Sequence, residues 1–265
     1  MRNLIFSLPL LIFSLCISSC TFQSTIDAQG NVSTRSQGKI IRSYGDRQFE
    51  ATKKKRQISR DPKYTFPVER VAKRLQKVID MPNAQWEFVI FKDPTPNAFA
   101  LPGGKVGVNT GLFRIADTDA LLAAVLGHEI SHATAGHATQ RMLHAASILV
   151  GGAIVHQAIE SSDSDSALYG LPAYFIAVHL LETLPLSRRQ EYESDRIGAI
   201  YMAQAGYDPR ESLKLWERLS SYHSHHHQTK PDFLRTHPPN QKRIESLKAF
   251  MPIAMEHYSR QKKRE

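Results

Sequence analysis

The segment His128-Glu129-Ile130-Ser131-His132 decides how this chain is interpreted, because two histidines and an acid end an apolar run that predicts a helix. Histidines four residues apart lie about 40° apart around a helix, so both rings can reach one metal ion. The acid beside the first histidine can then act as general base toward a metal-bound water. The segment therefore predicts a zinc site with His128 and His132 as ligands and Glu129 as base.

A catalytic zinc site needs a third protein ligand. His137 is the nearest candidate, but on a continuous helix it lies about 180° from His128 and faces away. The metzincin pattern is excluded as well. It requires glycine three residues and histidine six residues after the second ligand, whereas Gly136 and His137 follow His132 by four and five.

A better third ligand lies in a later predicted helix, within residues 187–195. Glu191 and Asp195 are four residues apart and share one face, whereas Glu193 is about 200° from Glu191 and is expected to point elsewhere. Glu191 could coordinate the metal, and Asp195 could accept the free ring N–H of either ligand histidine. A charged, solvent-exposed helix face is the alternative explanation for this acid pair.

Length and charge place limits on the chain as a whole. Its 265 residues, 42% of them hydrophobic, are enough for one sizeable core. The net charge is +9, and basic residues concentrate in residues 53–63 and 260–264. These clusters predict a solvated linker and tail, or a contact with an anionic lipid surface. Nucleic acid is not an expected partner, because no groove-reading motif accompanies the charge.

The N-terminus predicts a secretory signal peptide over residues 1–19, with a basic start, an apolar stretch and small residues before Cys20. This ending resembles that of bacterial lipoproteins, in which the cysteine becomes the lipidated first residue; ordinary cleavage beside an incidental Cys20 is the alternative. Cys16 lies inside the signal, so no internal disulfide is expected in the mature chain. By resemblance to enteric lipoproteins, Thr21 favours the outer membrane over the inner one.

The rest of the chain predicts an α+β fold that is mainly α. Residues 20–66 predict a lipid-anchored flexible tether, residues 67–258 one catalytic domain, and residues 259–265 a basic tail. A small antiparallel sheet is expected before the metal-site helix, from strands at 86–91, 97–101 and 105–108. Helices are expected at 68–79, from 117 through the histidine pair, and at 145–159, 167–184, 188–204, 209–222 and 238–257. The segments 145–159 and 167–184 favour core or lid helices over membrane spans, because polar residues interrupt both.

The paired motifs resemble the HtpX/BepA/LoiP-like zinc metallopeptidases, a gluzincin family that also contains the CAAX prenyl proteases and the mitochondrial Oma peptidases. The similarity covers roughly residues 67–250, and its matching segments are Asn97-Ala98-Phe99-Ala100, 107–136, 187–198, and Thr236-His237-Pro238 with Arg243. The resemblance implies one Zn²⁺ per chain, held by His128, His132 and Glu191. It implies Glu129 as the catalytic base and Asp195 as the partner of a ligand. Ser194 stands where the family usually has alanine.

The resemblance also implies a function. It indicates a zinc-dependent endopeptidase at the periplasmic face of the bacterial outer membrane that hydrolyses misfolded or misassembled proteins. Asn97, Ala98 and Phe99 are implied as an edge strand that aligns an extended substrate. The alternative is a periplasmic chaperone or assembly factor for outer-membrane proteins with latent protease activity. The expected partners are protein or peptide substrates, the membrane through the lipid anchor, and outer-membrane assembly machinery.

A donor for the developing oxyanion is needed besides zinc, and Arg188, Tyr192 and His237 are the candidates. His237 carries a second hypothesis, because in some related peptidases the histidine of a His-Pro loop fills the open zinc position and keeps the enzyme latent. An ordinary histidine at a helix start before Pro238 is the alternative. The histidine-rich stretch at 223–227 predicts a solvated loop rather than a metal store.

Overall fold

The computed structural model describes residues 24–160, 178–179, 184–225, 233, 237–238 and 240–264. The expected signal peptide, Cys20 and most of the second apolar segment lie outside the described residues. The described chain divides into a main unit, drawn from residues 24–137 and 191–264, and a second, smaller unit, drawn from residues 138–190. No described helix combines the length and the apolar character needed to cross a membrane.

Most elements are helices, and the three strands follow one another along the chain, which gives the expected mainly helical α+β class. In chain order they are α1 Lys39–Lys55, α2 Pro62–Gln76, β1 Glu87–Phe91, β2 Ala98–Leu101, β3 Lys105–Asn109, a 3₁₀ turn Thr110–Arg114, α3 Asp119–Thr134, α4 His137–Glu160, α5 Leu184–Gln204, α6 Glu211–His225 and α7 Gln241–Lys262. The three expected strands all form, each within one residue of its predicted bounds. The expectation of a sheet that precedes the metal-site helix is therefore confirmed.

The sheet is mixed rather than antiparallel, with the order β1-β3-β2. The antiparallel prediction is right for β2 and β3, which a tight turn at Gly103 and Gly104 joins with φ values of 87° and 86°. It is wrong for β1, which runs parallel to β3. The loop after β1 places β2 one strand position away from β1. Strand β3 then fills the position between them and pairs with both.

Helix α3 is the central element of the main unit. Thr118 caps it by accepting a hydrogen bond from the backbone N–H of Leu121 at 3.3 Å. Every residue from Leu121 to Thr134 is buried, and α2, β2 and α6 pack around the helix. A helix that is buried on all sides holds its polar side chains inside the protein, so the histidines and glutamate of α3 lie in a largely water-free environment.

Helices α3 and α5 cross at a pair of glycines. A methyl group at Gly127 would lie 3.1 Å from the carbonyl oxygen of Gly198, and one at Gly198 would lie 2.9 Å from the backbone nitrogen of His128. The absence of a side chain at both positions therefore allows the two backbones to approach closely. This approach brings the helix that carries Glu191 and Asp195 against the helix that carries the histidine pair.

The expected flexible tether differs from the structure over residues 24–66. Helix α1 occupies 39–55, and it buries Gly45 and Phe49. Ahead of it, residues 26 and 32 pair as a short β-bridge. Helix α1 is polar and buries only Gly45 and Phe49, which is why its sequence predicts an unstructured segment.

Candidate metal centre

Four buried side chains of the main unit converge on one point: His128 and His132 from α3, Glu191 from α5, and His237. One ligand atom from each lies within 4.8 Å of the others. The Nε2 atoms of His128 and His132 are 3.3 Å apart. Oxygens of Glu191 lie 3.4 Å from each of these two nitrogens.

These separations fit a tetrahedral zinc site. Metal–ligand distances of about 2.0–2.1 Å give a tetrahedron with edges of about 3.3 Å. Nδ1 of His237 completes the set, 3.2 Å from Nε2 of His128 and 2.9 Å from Oε2 of Glu191. Three imidazole nitrogens and one carboxylate oxygen are also a donor set that zinc accepts. The structure thus brings together the three ligands expected from the sequence and adds His237 as a fourth donor.

The carboxylate of Glu129 lies beside this cluster. Its Oε1 atom is buried without a hydrogen-bond partner of suitable geometry, although Nε2 of His237 is 3.1 Å away. A buried carboxylate oxygen without a hydrogen bond is costly, and such exceptions concentrate at functional sites. Glu129 is therefore positioned to interact with a water or substrate group.

Asp195 lies beside His128, one of the two ligand histidines that the sequence left open as its partner. Its Oδ1 lies 3.1 Å from Nδ1 of His128, although the angle departs from that of a good hydrogen bond. Arg243 in turn holds Asp195 with two hydrogen bonds, from Nε at 2.7 Å and from Nη2 at 2.8 Å. The guanidinium lies 4.1 Å from the centre of the Trp216 ring, so one of its faces packs on an aromatic ring while its edge is hydrogen-bonded to Asp195.

Arg243 also reaches the metal cluster directly, with Nη1 3.0 Å from Oε2 of Glu191. Burial opposes ionisation of Asp195, but the neighbouring guanidinium holds its pKa below the usual value. Burial likewise opposes ionisation of Glu191, and His237 and His128 hold its pKa well below the usual value. The sequence indicated no role for Arg243 beyond its place in the family pattern, because a single arginine far along the chain carries no local signal.

The histidines differ in protonation in the metal-free protein. Burial lowers the pKa of His132 well below 6.5, which favours the neutral ring that binds metals. Burial also opposes a charge on His237, but Glu129 and Glu191 outweigh it and raise its pKa to about 10. His237 is therefore a cation between two carboxylates when no metal is bound.

Comparison with known proteins gives the family. Residues 62–251 match the family model "Peptidase family M48". The chain belongs to peptidase family M48. The expected resemblance to the Oma and BepA-like peptidases is thereby confirmed.

Relatives of this M48 chain occur in mitochondria and in bacteria. It is 34% identical over 233 residues to mitochondrial metalloendopeptidase OMA1 of Schizosaccharomyces pombe, covering 87% of this chain and 63% of the relative. For the human OMA1 the figures are 35% over 176 residues, 64% and 33%. For the beta-barrel assembly-enhancing protease of Escherichia coli they are 26% over 187 residues, 69% and 38%. The chain spans less than two thirds of the length of each.

His137 and Glu193, which the sequence did not predict as ligands, are connected to the metal donors through His132. His137 is not one of the donors, as expected, but it does not lie on the continuous helix that this expectation assumed. Helix α3 ends at Thr134, Gly136 takes a φ of 70°, and His137 begins a new helix. Its Nδ1 lies 2.9 Å from Nδ1 of His132, and its Nε2 lies 2.9 Å from Oε2 of Glu193.

The other two candidates for an oxyanion donor are not among the four metal donors. Arg188 has an exposed side chain and belongs to the second unit. Tyr192 is half-buried. Of the three candidates, His237 is the one that the structure places among the metal donors.

The expected substrate strand forms an edge of the sheet, packed against α3. The backbone N–H of Asn109 donates to the carbonyl of Asn97 at 2.9 Å. Antiparallel pairs alternate, so Phe99 also directs its backbone toward β3, whereas Ala98 and Ala100 direct theirs to the open edge. The ring of Phe99 stacks on Phe91, with ring centroids 6.1 Å apart.

Proposed function

We propose that this chain is a zinc-dependent endopeptidase in which His128, His132 and Glu191 hold the metal and Glu129 is the general base. The match between the donor separations and the edges of a zinc tetrahedron carries the proposal. When bound, the ion supplies Lewis acidity, which lowers the pKa of a coordinated water and polarises a peptide carbonyl.

The protein's own groups provide the remaining chemistry. Oε1 of Glu129, once His237 has moved away from it, accepts the proton of the attacking water, and the same carboxyl later returns it to the leaving amine. Asp195 holds the ring of His128, and Arg243 fixes both Asp195 and Glu191. Because these groups are buried and hydrogen-bonded, the ligand geometry is set before substrate arrives.

The structure also supports a latent arrangement. Nδ1 of His237 would fill the fourth donor position of a bound ion, and its Nε2 is 3.1 Å from the carboxylate of the proposed base. Substrate and water need both positions, so His237 must move away before cleavage. We expect His237→Ala to raise peptidase activity several-fold. A fall in kcat at unchanged metal content would instead assign His237 to stabilisation of the oxyanion.

The edge strand β2 offers backbone groups to which an extended substrate can bind. An extended peptide can hydrogen-bond to the outward backbone groups of Ala98 and Ala100, which adds a strand to the sheet beside α3. Backbone recognition of this kind depends little on side chains. It suits an enzyme that acts on unfolded segments of varied sequence.

We further propose that the enzyme acts in the bacterial cell envelope, at the periplasmic face of the outer membrane, on misfolded or misassembled proteins. The apolar N-terminus ending at Cys20 supports a lipid anchor there. Similarity to a putative beta-barrel assembly-enhancing protease of Vibrio cholerae, 27% over 80% of this chain, supports a link to outer-membrane assembly. The same similarity favours the second candidate function, an assembly factor whose cleavage activity is minor.

Glu129→Gln tests the catalytic proposal, with the exposed Glu217→Gln as matched control. We expect Glu129→Gln to keep its bound zinc but to lose at least about 100-fold in cleavage of denatured casein, since general base catalysis contributes roughly 10²–10⁴. The control should cleave like wild type. Activity that persists in Glu129→Gln would refute the assignment of the base.

The same variant separates the two candidate functions in cells. If an envelope defect of a deletion strain is corrected by wild type but not by Glu129→Gln, cleavage is the main role. Correction by both proteins would favour the assembly factor.

A further inference from the structure

The N-terminal part of the described chain connects to the metal centre through a line of buried polar groups. His132 contacts His137, and His137 contacts Oε2 of Glu193, at 2.9 Å in each step. Oε1 of Glu193 accepts hydrogen bonds from Thr25, from the backbone N–H at 2.5 Å and from the hydroxyl at 2.9 Å. Exposure does not exceed 6% at any of these four residues, so water does not compete for the bonds.

The chemistry of these groups gives the hydrogen bonds one consistent direction. A neutral His132 that binds the metal through Nε2 carries its proton on Nδ1. It therefore donates a hydrogen bond to Nδ1 of His137. His137 then carries its own proton on Nε2 and donates to Glu193. The hydroxyl of Ser194, 3.4 Å from Nδ1 of His137, faces the same acceptor atom. Glu193 receives donors at both oxygens, which suits an ionised carboxylate.

The fold fixes Thr25 in place. The backbone N–H of Ser33 donates to the carbonyl of Thr25 at 2.7 Å, which closes a short hairpin. At the tip of this hairpin Gly30 has a φ of 80°, and a methyl group there would lie 2.8 Å from Ile200 and 2.9 Å from Ile253. The hairpin therefore sits tightly against α5 and α7.

Residues further along the same segment bind the end of α3. The backbone N–H of Arg35 donates to the carbonyl of Thr134 at 2.8 Å. The side-chain amide of Gln37 donates to the carbonyl of Ala133, also at 2.8 Å. These bonds satisfy carbonyls that a helix C-terminus leaves unpaired, close to His132 in sequence.

We propose that residues 24–37 are an integral part of the metal centre, with Thr25, Glu193 and His137 as positioning residues that fix the orientation and tautomer of His132. The inference rests on the proposed function, because it takes His132 as a metal ligand. Loss of such an outer partner typically weakens metal binding about 10–100-fold. Residues 24–37, which the sequence predicts to be part of a flexible tether, would thus determine how tightly the enzyme binds its metal.

The test measures metal affinity in the full-length chain, by competition with a chromophoric chelator, and the absorption spectrum of the Co²⁺-loaded protein. The variants are Glu193→Gln and Thr25→Val, with Thr25→Ser as the conservative replacement and the exposed Gln29→Ala as control in the same hairpin. We expect Glu193→Gln to weaken Zn²⁺ binding about 10–100-fold. Thr25→Val should weaken Zn²⁺ binding less, and both of these variants should alter the Co²⁺ spectrum. Thr25→Ser and Gln29→Ala should match wild type in affinity and spectrum.

The proposal is overturned if Glu193→Gln and Thr25→Val bind metal with wild-type affinity and spectrum. It is also overturned if Gln29→Ala loses as much affinity as they do, because the effect would then be general loosening. Thr25→Val keeps the backbone bond to Glu193 and remains informative if Glu193→Gln does not fold. Absence of metal binding in wild type would instead refute the proposed function itself.

Discussion

The charges around the cluster balance only when a cation is present. Glu129, Glu191 and Asp195 bring three buried carboxylates, and Arg243 brings one permanent positive charge. A dication neutralises the remaining two negative charges, and without it the proton on His237 compensates in part. Buried charges without compensation are expensive, so the acids of this site are best understood together with a metal.

Arg243→Lys tests how far the site depends on the planar guanidinium. Lysine keeps the charge but loses the paired bonds to Asp195 and the contact with the Trp216 ring. We expect roughly tenfold weaker Zn²⁺ binding and a loss of about 1–3 kcal/mol in unfolding free energy. Chemical denaturation and chelator competition measure these effects. Arg260→Lys, an exposed change on the same helix, should alter neither.

The raised pKa of His237 predicts a pH dependence for the metal-free protein. Its pKa rises from 6.5 in the unfolded chain to about 10 in the folded one, so the protonated ring stabilises the fold. This contribution is complete below pH 6.5 and is lost as the pH rises through 10. The difference in unfolding free energy between wild type and His237→Gln, both metal-free, should therefore shrink from pH 6 to pH 10. A difference that stays constant over that range would contradict the assignment.

At the scale of elements, what the sequence predicts depends on how local the signal is. The histidine pair, Glu129 and the Glu191–Asp195 spacing lie within single helices, so periodicity is enough to find them. The sequence does not predict the role of His137, because the helix ends at Thr134, just before Gly136, and a left-handed glycine that follows a helix is hard to tell from one inside it. The direction of β1 depends on a strand that comes later in the chain, and no local pattern encodes that pairing.

The crossing of α3 and α5 gives a prediction of its own. Gly198→Ala should improve helix propensity by about 1 kcal/mol, but the added methyl would lie 2.9 Å from the backbone of His128. Neither backbone can yield easily, so we expect a net loss of about 1–3 kcal/mol in unfolding free energy and weaker Zn²⁺ binding. Gly38→Ala places a methyl in open space and should change both by little. Equal stability of the two variants would show that the helices can separate without cost.

At the scale of the whole molecule, the metal joins parts of the chain that are far apart in sequence. Its donors come from α3, from α5, and from His237, which lies 109 residues beyond His128. An ion that binds this arrangement and not the unfolded chain stabilises the fold by mass action, about 2.7 kcal/mol when its concentration is 100 times Kd. For a domain of this size, each kcal/mol corresponds to roughly 2–4 °C in Tm.

Removal of zinc should therefore lower Tm by roughly 5–10 °C at that saturation, and added Zn²⁺ should restore it. Differential scanning calorimetry of the chelated and reloaded protein measures the shift. Glu129→Gln should show the full shift, because Glu129 is not a ligand, whereas Glu191→Ala should show little. If Glu191→Ala kept the whole shift, the ion would be held elsewhere, and the fold would not depend on the converging donors of α3 and α5.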